Sequence, residues 1–302
     1  MKRFILCIFV VLLVSYAFNG CNQEVTDVPN ESDVGQSSET LEESEATTQD
    51  FQYTVNEDNT VFINKYTGSD KHVVIPSKIE GLPVTLLLGI PHEEYTFLAV
   101  EGVFENTEVE SVVIPETVIK IGNRAFLNCT SLTTVDITKA ANLKTIGSTA
   151  FKNCNKLEKF YAKDKLELID AQAFDGCTSL KEVILPNTVT AIKKSTFRDC
   201  TALERINLSS SLVDIEDCAF QNCSSLKTIT IPSKVRMINF EGAAFQGNTS
   251  LETIIFEDGR EEIAGYMCFA IGKSVEIVIP ASVKKFSFMT FNIITQSLTP
   301  TH

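Results

Sequence analysis

Tryptophan is absent from these 302 residues, and histidine is nearly so, with three in all: His72, His92 and His302. Enzymes need a titratable base held by an orienting group, and metal sites need clustered ligands. His92-Glu93-Glu94 lacks the second histidine of a zinc helix, and there is no Gly-x-Ser-x-Gly, P-loop or dinucleotide fingerprint. No catalytic residue, metal or cofactor is expected. Positive charge is the next deficit: 26 Lys and Arg against 39 Asp and Glu give a net charge of −13. Nucleic acid, whose binding rests on neutralised phosphates, is excluded as a partner. Long apolar runs are missing too. The longest, Phe4 to Phe18, is fifteen residues and falls short of the roughly 20 that cross a bilayer.

That run follows Lys2 and Arg3 and ends in small and polar residues, so residues 1–20 read as an export signal peptide. Phe18-Asn19-Gly20-Cys21 resembles the lipobox of bacterial lipoproteins, which implies that Cys21 is diacylated and becomes the new N-terminus. Ordinary secretion and an uncleaved anchor are the alternatives. Residues 22–50 carry nine acids and no Lys or Arg, with few apolar side chains. Such a segment cannot bury enough surface to order itself, so 21–50 is expected to be a disordered, extended acidic tether.

From residue 51 onward the chain repeats. Phe104, Phe126, Phe151, Phe174, Phe197, Phe220, Phe245, Phe269 and Phe291 recur every 22–25 residues. Five residues before the phenylalanine stands an isoleucine in the regular units (Ile121, Ile146, Ile169, Ile192, Ile215). Cysteine follows three after, then Leu, then apolar residues spaced by two, as in Phe174, Cys177, Leu180, Val183 and Leu185. The alternation predicts a short strand in each unit, ended in several units by a proline such as Pro115, Pro186 or Pro232. Offsets of 0, 4, 5 and 8 for Ile121, Ala125, Phe126 and Cys129 put those residues on one face of a short helical or irregular return. The fold expected is an α/β-type repeat solenoid with a parallel sheet on one side. Residues 51–104 form an N-terminal cap with an insertion (Leu86 to Glu101), 105–285 the regular repeats, and 286–302 a degenerate last unit.

The string Ile-Gly-x-x-Ala-Phe-x-x-Cys-x-x-Leu stands at Ile121-Gly122, Ala125-Phe126, Cys129, Leu132 and again at Ile146-Gly147, Ala150-Phe151, Cys154, Leu157. With the entry segment Val73-Val74-Ile75-Pro76 to Gly81-Leu82-Pro83-Val84, it resembles the BspA-like leucine-rich-repeat proteins of bacterial surfaces. The resemblance implies a surface-exposed binding module, in some members an adhesin for host or neighbouring-cell proteins, without catalytic residues.

Cys129, Cys154, Cys177, Cys200 and Cys223 share one register, so they are expected to form a ladder of buried free thiols, with disulfide or metal as alternatives. Cys218 and Cys268 are taken as structural. Residues flanking the inward apolar ones should face out from the sheet: Thr134, Asp136, Lys159, Tyr161, Glu182, Ile184, Arg205, Asn207, Thr228, Thr230, Thr253 and Ile255. Of these, Lys159, Tyr161, Glu182, Ile184, Arg205, Asn207, Thr228 and Thr230 are the candidate binding residues. Lys152 and Arg198, on the opposite face, are expected to be indifferent to binding. The partner expected is an extracellular or host protein, met by a monomer whose contact with the membrane is through the lipid on Cys21. A glycan-binding or structural envelope lipoprotein is the alternative, weakened by the lack of Trp and the 6 Tyr available for stacking on sugars.

Overall fold

The computed structural model describes residues 48–91, 99–238, 244–263 and 275–286, all within the compact unit Glu42–His302. The signal peptide, Cys21, the tether as far as residue 47, His92 to Tyr95, Cys268, Phe269 and residues 287–302 with Phe291 and His302 lie outside the described residues.

Each unit is one coil made of two strands and a return. The first strand is three or four residues long, as in Lys159–Tyr161, Glu182–Ile184, Arg205–Asn207 and Thr228–Ile231. These strands stack parallel and in register along one wall, here called the long ladder, with Phe160 beside Val183 and Val183 beside Ile206. The ladder is hydrogen-bonded in three runs of three strands, starting at His72–Val74, Lys159–Tyr161 and Thr228–Ile231. After the strand a proline turn reverses the chain. Pro115, Pro186, Pro232 and Pro280 have no N–H to offer the ladder, and each instead accepts at its carbonyl the N–H three residues on.

A second ladder, not foreseen from the sequence, follows the turn. Lys120–Ile121, Thr145–Ile146 and Leu168–Ile169 pair in parallel, as do Ala191–Ile192, Asp214–Ile215 and Met237–Ile238. The isoleucine that opens each repeat string is thus a strand residue pointing into the core. At the N-terminal side the antiparallel hairpin of Phe51–Val55 and Val61–Tyr66 heads this same sheet. The insertion folds back as Ile90–Pro91 against Ala99–Glu101.

The returns are built of turns, the irregular one of the two forms expected, and the one helical element among the described residues is the short 3-10 turn Thr48–Asp50. The reason lies in alternating backbone handedness. Residues two before each phenylalanine (Arg124, Thr149, Gln172, Ser195, Cys218) and two after it (Asn128, Asn153, Asp199, Asn222) have φ between 54° and 61°. A left-handed residue every fourth position forbids a right-handed helix although the apolar spacing fits one. The zigzag turns the backbone N–H groups at Phe−2, Phe and Phe+2 toward the following coil. Arg124, Phe126 and Asn128 donate to the carbonyls of Ser148, Ala150 and Lys152, and Thr149, Phe151 and Asn153 to those of Ala171, Ala173 and Asp175. The intervening N–H groups of Ala125, Leu127 and Cys129 close turns onto carbonyls three residues back.

Behind this wall the phenylalanines form one column. From Phe104 to Phe245 successive rings lie 4.9–5.6 Å apart and within 4–13° of parallel, all fully buried. Tyr66 and Phe51 close the N-terminal end, with Tyr66 5.0 Å from Phe104. Centroid spacings beyond the ~4.8 Å separation of adjacent strands mean that the rings are slid past one another, the offset that aromatic quadrupoles favour.

Candidate functional site

The core side of the long ladder is filled by the middle residue of each strand, Val135, Phe160, Val183, Ile229 and Ile254 among them, which are buried. Period-two alternation then turns the first and third residues outward. Lys159, Tyr161, Ile184, Arg205, Asn207, Thr228 and Thr230 are exposed and Glu182 is half-buried. Register brings them together: Lys159, Glu182 and Arg205 lie side by side in one column, and Tyr161, Ile184 and Asn207 in another. Farther along, Thr228 stands beside Thr253, and Thr230 beside Ile255 and then Val278.

The two columns differ in chemistry. In the first, charge alternates from coil to coil. Arg205 Nε donates to Glu182 Oε1 at 3.1 Å, and the Tyr161 hydroxyl donates to Glu182 Oε2 at 2.6 Å. Those two hydrogen bonds, with the nearby Arg205 and Lys159 charges, hold the Glu182 carboxyl below the usual carboxylate range. Burial, together with the Glu182 contact, pushes the Tyr161 phenol up to about 12, so it serves as a donor and not as a nucleophile. Just outside the strand, Glu158, Lys181, Glu204, Lys227 and Glu252 alternate in the same way, with Lys181 Nζ 3.2 Å from Glu158. The third-residue column is uncharged from Tyr161 through Ile184, Asn207, Thr230 and Ile255 to Val278, and its exposed large side chains are Tyr161 (42% exposed), Val278 (39%) and Ile184 (36%), of which Tyr161 and Ile184 are adjacent.

The cysteines take no part in a site. Cys129, Cys154, Cys177, Cys200 and Cys223 are free and buried, and each Sγ–H donates to the carbonyl of the phenylalanine one coil back, at 2.9–3.2 Å. The carbonyls of Phe126, Phe151, Phe174 and Phe197 also accept the N–H of their own coil's cysteine, and that of Phe104 the N–H of Thr107, so the thiol adds a further donor to each. Burial pushes the Cys129 thiol up to about 11 and raises those of Cys154, Cys177, Cys200 and Cys223 well above the ordinary thiol value. Thiols held neutral are poor metal ligands and poor nucleophiles. Among the described residues no group of His, Cys, Asp or Glu is placed to hold a metal ion. In the coil of Phe245 the cysteine position is Asn248, fully buried, with neither amide atom hydrogen-bonded.

The return wall carries its own polar ladder, which the sequence reading missed. Asn128 Nδ2 donates to Asn106 Oδ1 and Asn153 Nδ2 to Asn128 Oδ1, at 2.9 and 2.8 Å, and Asn222 bonds Asp199 likewise at 2.7 Å. At Gly176 and Gly247 the ladder is interrupted: φ is +77° and +78°, and a Cβ would meet the asparagine Oδ1 of the preceding coil at 2.4 and 2.0 Å. Asparagine, aspartate or glycine two residues after each phenylalanine from Phe104 to Phe245 was the available signal for left-handed backbone.

Lys152 and Arg198, expected to be indifferent, are structural. Asp175 is only 2% exposed, and it accepts Arg198 Nε and Nη2 at 2.9 and 2.7 Å and lies 2.9 Å from Lys152 Nζ. Changing either cation would leave a buried carboxylate short of a partner. Among the described residues four asparagines stand in Asn-x-Ser/Thr sequences: Asn128 and Asn222 are engaged in the amide ladder, Asn248 is buried, and Asn207 is exposed on the long ladder.

Residues 100–199 and 167–297 match the family described as BspA type Leucine rich repeat region, in six copies. Among solved structures, a leucine rich cell surface protein from Faecalibacterium prausnitzii is similar, with 33% identity over 70% of this chain and 54% of that one and a TM-score of 0.59. The present chain therefore spans about half the length of that protein. A leucine rich repeat protein from T. pallidum shares 27% identity over 69% of this chain and 91% of its own, with a TM-score of 0.57. No curated protein matches.

Proposed function

Because the chain belongs to the BspA-type leucine-rich-repeat family, we propose that it is a non-enzymatic cell-surface module whose long ladder docks other proteins. The observation that carries the reading is the contrast on one rigid wall: two columns of charges that pair with each other, beside a column that leaves Tyr161 and Ile184 exposed in adjacent register. Aromatic and aliphatic anchors within a polar surround dominate the energetics of protein interfaces. The F. prausnitzii relative is described as a cell surface protein, which supports the same placement here.

The export signal and Gly20-Cys21 support a lipid anchor, with the acidic segment 22–50 as a stalk that holds a monomeric solenoid away from the membrane. No described helix is long and apolar enough to cross a membrane. Adhesion to host or neighbouring-cell proteins is the use that such an arrangement serves.

Two experiments test these assignments. Full-length protein is offered human serum and matrix proteins in parallel with a glycan array. Protein capture that weakens by at least about 2 kcal/mol, roughly thirtyfold, in Tyr161→Ala with Ile184→Ser is the result expected. Binding of glycans alone would replace the reading with the glycan-binding one. For the anchor, labelled palmitate should enter the wild type expressed in a bacterium and not Cys21→Ser. An unlabelled soluble product from the wild type removes the lipid.

A further inference from the structure

The charged columns of the long ladder already contain their own counter-ions. Glu158, Lys181, Glu204, Lys227 and Glu252 alternate in sign along one line, and Lys159, Glu182 and Arg205 alternate along the next with opposite phase. In the coils of Glu158, Lys181 and Glu204 every charge therefore has an opposite charge about 4.8 Å away along the stack and another beside it on its own coil, at Lys159, Glu182 and Arg205, while Lys227 and Glu252 stand beside the uncharged Thr228 and Thr253. Two of the contacts are direct, Lys181 with Glu158 at 3.2 Å and Arg205 with Glu182 at 3.1 Å. A wall on a chain of net charge −13 thus presents almost no net charge of its own. A charged partner gains little from such a surface, because each new ion pair must displace an existing one, and no long-range field steers it in.

The column beside the checkerboard offers something else. Tyr161, Ile184 and Asn207 stand in register on one run of three strands and Thr230, Ile255 and Val278 on the next, each about 10 Å long, without a single ionisable group apart from the Tyr161 phenol, which stays neutral. Tyr161 is further fixed by its hydroxyl bond to Glu182, so its ring edge is pre-placed for contact at no added cost in rotamer freedom.

Resting on the protein-docking reading above, we infer that the occupant of this column is an uncharged stretch of polypeptide rich in aliphatic and hydroxyl side chains, laid along the solenoid axis. Charged segments are turned away by the self-paired checkerboard, which acts as a rim that is satisfied before the partner arrives.

The test uses a phage-displayed library of random dodecapeptides panned on the full chain, with Tyr161→Ser combined with Ile184→Ser as the counter-target. Both changed positions are exposed, and circular dichroism melts of the double variant establish that it folds. Peptides enriched on the wild type and at least tenfold less on the variant should be uncharged and rich in Val, Ile, Leu, Thr and Ser. Their binding should change less than twofold between 50 and 500 mM sodium chloride. Neutralising one rim pair, Glu158→Gln with Lys181→Gln, removes one charge of each sign and should leave binding unaltered. Face-dependent peptides rich in Lys, Arg, Asp or Glu, with steep salt dependence, would overturn the uncharged occupant while keeping the docking face. Absence of any face-dependent enrichment would overturn the docking face itself.

Discussion

The return wall and the long ladder are built from the same coils, yet they vary in opposite ways. On the return wall the side chains repeat almost without change: phenylalanine on phenylalanine, thiol to carbonyl, amide to amide, each touching its counterpart one coil away. On the outer column of the ladder, Asp136, Tyr161, Ile184, Asn207, Thr230 and Ile255 occupy the same place in successive coils and range from a carboxylate through a phenol, an amide and a hydroxyl to aliphatic groups. A side chain that must pair with its own copy can change only if its neighbours change with it, whereas one facing water is released from that requirement. The wall therefore defines the coil, and the ladder face is where coils can differ.

Four expected outcomes would break or sharpen this contrast. The largest concerns the thiols, whose folded-state pKa values are raised by burial, to about 11 for Cys129. A raised pKa means that the folded chain keeps protons that the unfolded chain loses. The associated stability is complete below the ordinary thiol value of about 8.5 and declines as pH climbs toward the folded values. Each thiol that ionises only in the unfolded chain removes about 1.4 kcal/mol per pH unit, so with five ladder cysteines the loss between pH 7.5 and 10 should exceed that of any single substitution. Urea titrations at pH 7.5 and 10 measure this, and Cys177→Ala should reduce the slope by about one proton. An unchanged slope in that variant would sink the idea.

Next is Phe174→Ala, which removes a ring stacked on both sides and should cost about 3–5 kcal/mol in the same titration. A loss below about 1 kcal/mol would show that the column tolerates gaps and that the wall is less demanding than its regularity suggests. A smaller effect distinguishes two coils of the wall itself. Cys177→Ala at pH 7.5 should cost about 1–3 kcal/mol, while Asn248→Cys should gain about 1 kcal/mol by replacing an unpaired buried amide with a thiol that finds the Phe220 carbonyl. Destabilisation by Asn248→Cys would mean that the asparagine has a use at that position. Smallest of all, Tyr161→Ala with Ile184→Ser should shift stability by less than about 1 kcal/mol, since both side chains are exposed. A larger shift would place these residues with the structural wall and not with a variable face.

Much of this arrangement was legible because the repeat length, once found, converts sequence separation into adjacency. The phenylalanine column, the buried cysteines and the outward position of Tyr161 and Ile184 all follow from a 23-residue period combined with alternation in the strand. The second ladder was not legible, since two residues such as Ala191–Ile192 are too few to show a period of two. The return was read as helix-like because Ile121, Ala125, Phe126 and Cys129 have helical spacing, and spacing carries no sign of φ. The Asp175 cluster was missed because its cations sit 23 residues on either side, at Lys152 and Arg198, where a surface role was the simpler expectation.

The one-way hydrogen bonds of the return wall have a consequence for electrostatics at the scale of the whole array. In each of the three rows through Phe−2, Phe and Phe+2, the peptide that donates forward from one coil accepts from the coil before. Peptide dipoles in such a row align head to tail, as they do along an α-helix, but they run from coil to coil instead of from residue to residue. The N–H ends all face the C-terminal side, the reverse of a helix, so partial positive charge gathers toward the last coil and partial negative charge toward the first. Two walls of this kind brought together by like ends would set donor against donor or acceptor against acceptor. Only a head-to-tail join can continue the rows, and a coil inserted within them must preserve their polarity.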